Sequence, residues 1–308
     1  MNILLWHVHG SWTTAFVQGK HRYLVPVNEA RDAWGRGRAR TFDWPETVEE
    51  RPLGEIRDVD VAIVQRPEEL GLVPRGVPVV YVEHNTPKGD VPDSRHPMAD
   101  RDDLVVAHVT HFNELFWDTG GARTTVIEHG IVEPAARWTG DLERLAVVTN
   151  EPVRRHRVTG TDLYPRFARV APLDVFGMGV AGLAGPRITA VEDPPQHEMH
   201  ALVARRRAYL HLCRWTSLGL SLIEAMQMGM PVIGLATTEA VAAVPPDAGV
   251  LATRVDTLVE AAHWLLEEPA AARRLGARAR EVALARHGLD RFLADWDRLL
   301  EEETCGSR

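Results

Sequence analysis

The sequence predicts an α/β protein built from two parallel-sheet domains, and three observations predict it. In the first, the apolar run 208–212 is followed by Gly219 and Ser221, which mark a sharp turn into a helix. Leu222, Ile223, Ala225 and Met226 give that helix an apolar face, Gly229 ends it, and 232–235 is the next apolar run. Strand, turn, helix, strand is the unit of a parallel sheet. The second observation is a set of similar runs at 3–8, 59–64, 77–82 and 104–109, which make one α/β domain of the first half. The third is a polar linker from Glu133-Pro134 to Gly140, after which 145–149 opens a second sheet. At 308 residues the chain is long enough for one large domain or two medium ones.

Composition excludes several classes. Apolar residues at 45% and charged residues at 25% fit a soluble globular protein rather than a disordered one. A net charge of −8 without a block of Lys or Arg argues against a nucleic-acid surface. Two cysteines, Cys213 in an apolar approach and Cys305 in a polar tail, make no disulfide framework, so a reducing, cytoplasmic setting is expected. The start 1–6 has no basic region and too short an apolar run for a signal peptide, and no apolar run approaches membrane-spanning length.

In the first half, the strand at 3–8 runs through His9-Gly10-Ser11 into a short helix at 12–17. Gly10 permits close backbone approach to a ligand, although a plain strand-to-helix turn reads the same way. A second strand is expected at 23–27, while 30–57 is polar, rich in Arg and Trp, and without a readable period. Asp58-Val59-Asp60 has the form of a metal-binding Asp-x-Asp, but it precedes a strand and reads as two solvated entry residues. The strand at 77–82 ends in Glu83-His84-Asn85, at the carboxyl end where parallel sheets bind ligands. There His84, neutral or charged, could hydrogen-bond a sugar hydroxyl or a phosphate. A helix is expected at 110–119, closed by Gly120-Gly121, with Phe112, Leu115 and Phe116 on one face.

In the second half, Arg154, Arg155 and Arg157 cluster just past a strand end, where guanidinium groups suit a diphosphate and also suit an exposed loop. Gly177-Met178-Gly179-Val180-Ala181-Gly182 is a formal G-x-G-x-x-G, yet no helix has room to open before the strand at 188–191, so it reads as a loop. A helix from Pro194 through Arg206 is expected to turn Met199, Leu202 and Val203 inward. Thr237 and Thr238 cap a short helix or touch a ligand. Asp256 and Asp290 read as helix caps, Pro269 opens the helix between them, and 301–308 reads as a frayed tail. The pairs His7/His9, His108/His111 and His197/His200 bring no third ligand at metal spacing.

The chemistry concentrates at 214–226. Gly219, Leu220 and Ser221 lie at a helix N-terminus, where free N–H groups bind phosphate or sugar oxygens without a charged side chain. Glu224, about one turn further in, can accept hydrogen bonds from two adjacent hydroxyls such as those of a ribose. Spacing alone leaves a plain cap equally open, with Ser221 capping and Glu224 favouring the positive helix end.

The run Thr216-Ser217-Leu218-Gly219-Leu220-Ser221-Leu222-Ile223-Glu224-Ala225-Met226 resembles the donor-site signature of retaining glycosyltransferases of the GT-B fold, glycosyltransferase family 4. That signature is Glu, seven residues, Glu, with Gly between and Ala-Met after. Gly219, Glu224, Ala225 and Met226 match it, as do Gly229, Pro231 and Val232, while Thr216 stands at the first Glu and Asn150 where an Arg is expected. The resemblance implies two Rossmann-like domains facing across a donor/acceptor cleft. Residues 1–138 form the acceptor side, 139–288 hold the nucleotide sugar, and 289–308 are a helix and tail packing back toward the first domain. It implies transfer from a nucleoside-diphosphate sugar, a UDP-sugar being favoured, to a hydroxyl of a small molecule or glycan, with retention and with neither metal nor separate cofactor. Glu224 would then bind the ribose and Thr216 the donor sugar, less strongly than a carboxylate. Gly10 and Ser11 would face the ligands, and Arg154, Arg155 or Arg157 would meet the diphosphate. His84 and Arg155 would stand nearest the reacting atoms. A nucleotide-sugar epimerase on the same fold and a catalytically silent nucleotide- or sugar-binding protein are the alternatives.

Overall fold

The computed structural model describes residues 1–40 and 42–305, and the chain divides into two compact units. Unit 1 comprises Met1–Val132 and the segment from Leu289; unit 2 is Glu133–Gly288. Unit 1 holds seven parallel strands: β1 (Asn2–Leu5), β2 (Arg22–Pro26), β3 (Val48–Arg51), β4 (Val61–Val64), β5 (Val79–Glu83), β6 (Leu104–His108) and β7 (Arg123–Val126). Their order is β3-β2-β1-β4-β5-β6-β7, with Ile3 opposite both Tyr23 and Val61. The central strands are buried along their length, as in a parallel sheet covered on both faces. α1 (Gly10–Phe16) and α2 (His111–Phe116) follow β1 and β6.

Unit 2 repeats the plan with β8 (Leu142–Val148), α3 (Pro152–Arg155), α4 (Tyr164–Val170), β9 (Leu173–Gly177), β10 (Ile188–Glu192), α5 (Gln196–Val203), β11 (Arg206–His211), α6 (Leu220–Met228), β12 (Val232–Leu235), α7 (Ala240–Ala243), β13 (Gly249–Ala252), α8 (Val255–Glu267) and α9 (Pro269–His287). The strand order is β10-β9-β8-β11-β12-β13, all parallel. The chain closes with α10 (Leu289–Cys305), which belongs to unit 1. Its Phe292 and Trp296 pack on Trp12, and Trp296 lies 5.0 Å from the Phe16 ring, so α10 covers α1. Among the described residues no helix is long and apolar enough to cross a membrane.

Several elements differ from the sequence expectation, each for a physical reason. β3 was unreadable because its sequence is Val-Glu-Glu-Arg. As an edge strand it stays soluble by pairing Glu49 with Arg22 and Arg51, and Glu50 with Arg31. α2 stops at Phe116, and Leu115 is 77% exposed, so only Phe112 and Phe116 of the expected face stack together, with centroids 4.5 Å apart. α5 ends at Val203, and the strand already begins at Arg206. Two arginines can enter a buried strand because Arg206 meets the Asp174 carboxylate and Arg207 donates to the Gly140 and Leu266 carbonyls. α5 also turns His200 and Val203 inward, leaving Met199 partly exposed and Leu202 at the surface. Asp256 and Asp290 sit inside the first turns of their helices and not at the caps, and Asp256 pairs with Arg166. Residues 301–305 are helical rather than frayed, since Glu303 accepts both guanidinium donors of Arg123 and the Thr304 hydroxyl donates to the Leu300 carbonyl. Gly306, Ser307 and Arg308 lie outside the described residues.

One helix pair fixes the element that matters most. α6 closes at Gly229, whose φ of 88° is left-handed. The Gly229 and Met230 amides bond back to the Met226 and Ala225 carbonyls, the double bond pattern of a glycine stop. α9 lies directly on that stop: a Cβ at Gly276 would run into the Gly229 carbonyl oxygen, which is backbone and cannot swing away. We expect Gly276→Ala to destabilise the protein by about 1–3 kcal/mol through overpacking. Gly54→Ala, where nothing lies within 4 Å of an added Cβ, should be near neutral. Urea unfolding of the two variants, followed by far-UV circular dichroism, checks this.

Candidate functional site

In unit 2 the chain runs from β8 to β9 to β10 in one direction, then from β11 to β12 to β13 in the other. Such a reversal leaves a crevice beyond the carboxyl ends of the two central strands, here Val148 and His211. The loops at that end are 149–151, 177–182 and the turn 212–219 into α6.

That turn is tied down from beneath. The Ser221 hydroxyl, for which a plain cap was one of two open readings, does not cap α6. It bonds the Tyr209 hydroxyl at 2.9 Å and donates to the Val148 carbonyl at 3.2 Å, joining α6 to both central strands. Gly219 packs over the buried His211 ring; an added Cβ would lie 3.1 Å from its Cε1. Burial pushes the His211 pKa down to about 4, so a neutral ring underlies the turn. The Leu220 and Ser221 amides that open α6 receive no side-chain cap, the next amide, of Leu222, bonds the Gly219 carbonyl at 3.0 Å, and Thr216 is half-buried in the loop just before them. Glu224 sits inside the first turns, 5% exposed, with its Oε1 accepting from Gln196 Nε2 at 2.9 Å and its Oε2 3.2 Å from His200 Nε2.

The three arginines separate. Arg154 pairs with Glu151 at 3.4 Å and Arg157 with Asp162 at 3.2 Å. Asp162 is held more firmly by Arg214 at 2.6 and 2.9 Å, which also bonds the Arg157 carbonyl and so locks this loop to the stretch before α6. Arg155 has no ion-pair partner among the described residues and lies near Cys213. Burial pushes that thiol up to about 11, with the Arg155 charge opposing. Thr237 does not cap α7; its hydroxyl donates to the Cys213 carbonyl at 2.7 Å. Asn150 Oδ1 accepts from the Met178 amide at 3.0 Å.

The glycine run 177–182 is a loop ending in a single 3-10 turn at Ala181–Leu183. Its amide nest is already filled. Glu192 Oε1 accepts from the Gly179 N–H at 2.6 Å, and its Oε2 accepts from Val180 and Ala181, each at 2.9 Å. These bonds, the Gly179 one first, hold the Glu192 carboxyl below its usual range.

Unit 1 has the same reversal between β1 and β4. The loop after β1 carries His7, His9, Gly10 and Ser11, the last two opening α1. His84, just past β5, is tilted against His9 with centroids 4.0 Å apart, lies 6.3 Å from His129, and rests edge-on to Trp12. The Arg291 guanidinium of α10 donates to the Glu128 and His129 carbonyls and fixes that strand end. His84 Nε2 is buried with no hydrogen-bond partner among the described residues. Burial, then the His9 and His129 charges, press its pKa well below the usual value, and burial lowers His9 to about 4. His84 is therefore a neutral donor or acceptor and supplies no charge to a phosphate. Behind it, Glu83 holds His96 at 3.0 Å and the Asn85 amide at 2.6 Å, a buried pair that the sequence did not flag.

Among the described residues no group of three or more His, Cys, Asp or Glu side chains is placed to hold a metal ion. His108 is fully buried while His111 is exposed, and His197 is exposed while His200 faces Glu224. The missed residues are Gln196, His200, Glu192 and Arg214. Their one sequence signal was a polar residue at an inward helical position, His200 one turn past Gln196.

Residues 185–282 match the family model described as glycosyl transferases group 1. No curated protein matches the chain. Among solved structures, sucrose-phosphate synthase from Thermosynechococcus elongatus superposes with a TM-score of 0.74 at 15% identity, over 99% of this chain and 100% of that one. Anabaena HepE in complex with UDP gives 0.72 at 13% identity, over 98% and 99%. AviGT4, a glycosyltransferase involved in avilamycin A biosynthesis, gives 0.67 at 15%, over 99% and 98%. The fold is GT-B, two Rossmann-like domains.

The Glu192 nest has a pH signature. A carboxyl whose folded pKa is depressed contributes stability above its unfolded pKa and loses it as pH falls through the folded value. Hydrogen-exchange protection of the Gly179, Val180 and Ala181 amides should therefore fall on acidification below the ordinary carboxylate range. Glu192→Gln should show low protection at every pH.

Proposed function

We propose that the chain is a glycosyltransferase that moves a sugar from a nucleoside-diphosphate donor to an acceptor hydroxyl with retention of configuration. The observation that carries this reading is Glu224: a buried carboxylate beside the uncapped first amides of α6, at the strand-order reversal of unit 2. A carboxylate there accepts from the two ribose hydroxyls, and open amides donate to phosphate oxygens. The group 1 match spans this segment and supports the donor assignment. The HepE structure holds UDP, which supports uracil as the base. Gly219, Leu220, Ser221 and Thr216 border the donor. Arg155, the one of the three without a carboxylate partner, meets the diphosphate and stabilises the charge that develops as it leaves. Within unit 1, Gly10, Ser11 and the neutral His84 are the residues proposed to meet sugar or acceptor hydroxyls. The free thiols of Cys213 and Cys305 support a cytoplasmic setting.

A thermal-shift series with UDP, GDP, dTDP and ADP tests the donor class, because a ligand that binds only the native state raises the midpoint. Glu224→Ala should weaken binding of the responding nucleotide by about 1–3 kcal/mol, the worth of hydrogen bonds to a charged group. An unaltered titration in the folded variant would remove Glu224 from the donor site. Among the arginines, Arg155→Ala should lower kcat about 10²-fold, the scale seen when a donor to developing charge is lost. Arg154→Ala and Arg157→Ala should stay within a few-fold of the parent. Equal rates for all three would return the loop to plain solvated surface.

A further inference from the structure

We propose that Gln196 and His200 form a clamp that orients the Glu224 carboxylate to read a vicinal diol, and that the clamp makes the site select ribonucleotides over 2′-deoxyribonucleotides. This rests on the reading of Glu224 as the ribose ligand.

A glutamate side chain ends in a broad, roughly two-fold torsion, so a lone carboxylate does not present its two oxygens in a fixed plane. Here each oxygen is met by a different nitrogen: Gln196 Nε2 at 2.9 Å from Oε1, and His200 Nε2 at 3.2 Å from Oε2. Both come from α5, at positions i and i+4, which lie over one another on a single helical face. A carboxylate has about four acceptor sites. The Gln196 hydrogen bond takes one site on Oε1 and His200 stands beside Oε2, so each oxygen keeps an acceptor site for one of two neighbouring hydroxyls.

The arrangement is costly for packing, which makes it informative. Glu224 and His200 are 5% and 7% exposed. Buried polar groups cost free energy unless they are paired, and an apolar pair would fill the same space without that cost. α5 instead turns His200 inward beside Val203, with Gln196 half-buried one turn before it, and leaves Met199 partly exposed and Leu202 at the surface. His200 Nε2 makes no well-aligned hydrogen bond even at 3.2 Å from Glu224. The contact is therefore set by the position of His200 on α5, and the formed hydrogen bond to the carboxylate is the one from Gln196.

The test compares dissociation constants for UDP, GDP and ADP with those for their 2′-deoxy counterparts by calorimetry. The proteins are the parent, Glu224→Ala, Gln196→Ala, His200→Ala and His200→Gln, each checked for folding by thermal melting. The parent should prefer the ribonucleotide about tenfold, the worth of one hydrogen bond to a charged group. Gln196→Ala and His200→Ala should bring the ratio within about threefold by weakening the ribonucleotide while sparing the deoxy compound, again on that scale. His200→Gln, which keeps a donor, should recover most of the preference. A purely structural role would weaken both compounds alike and leave the ratio unmoved. An unmoved ratio in both alanine variants, with the preference lost in Glu224→Ala, overturns the clamp and leaves the ribose reading standing. A parent that binds none of the three nucleotides, or a Glu224→Ala variant that binds as the parent does, overturns that reading and the clamp with it.

Discussion

The second unit depends on one junction, where the turn into α6 is fastened to the two central strands of the sheet. Ser221 does this with a hydroxyl that reaches the Val148 carbonyl and the Tyr209 hydroxyl. Gly219 allows it, because the backbone lies on the His211 ring where a side chain would crowd. With the start of α6 fixed from below, its Leu220 and Ser221 amides receive no side-chain cap, and Glu224 is carried to a set depth behind them. The other end is fixed as well, by the Gly229 stop pressed against Gly276 of α9. A helix held at both ends can offer a carboxylate and open amides without reorganising, which is the property that binding charged oxygens rewards.

The electrostatics sort the loops by what each has left to give. Arg154, Arg157 and Arg214 are engaged by Glu151 and Asp162, so their charge holds loops together. Glu192 fills the glycine-loop nest, so that nest is a strut. Of the three clustered arginines, Arg155 has no carboxylate partner among the described residues. In unit 1 the same sorting works through burial. His9 and His84 are pressed toward the neutral form, which suits hydroxyl groups and not phosphates.

Much of the fold was legible because its signals are local. Short apolar runs between glycine, proline and aspartate turns mark parallel strands whichever partner they find, and the helix from 220 is announced by its own glycines and apolar period. Signals failed where a charge was neutralised by something distant in sequence. Glu49 and Glu50 made β3 look like loop until Arg22, Arg51 and Arg31 were beside them. Arg206 and Arg207 looked like a helix end until Asp174 and two carbonyls received them.

The candidate site divides along the same line. The sequence by itself determined the α/β class, the strand–turn–helix at 208–228, and which residue types gather at its strand ends, because each of these follows from the order of neighbouring residues. Only the tertiary structure decided that Ser221 ties α6 to the sheet, that Glu192 occupies the glycine loop, that Arg155 alone of the three clustered arginines has no carboxylate partner among the described residues, and that Gln196 and His200 stand over Glu224. Those outcomes are set by hydrogen bonds and ion pairs between residues mostly separated by whole elements. Pairings of that range exist only once the sheet has brought its strand ends together.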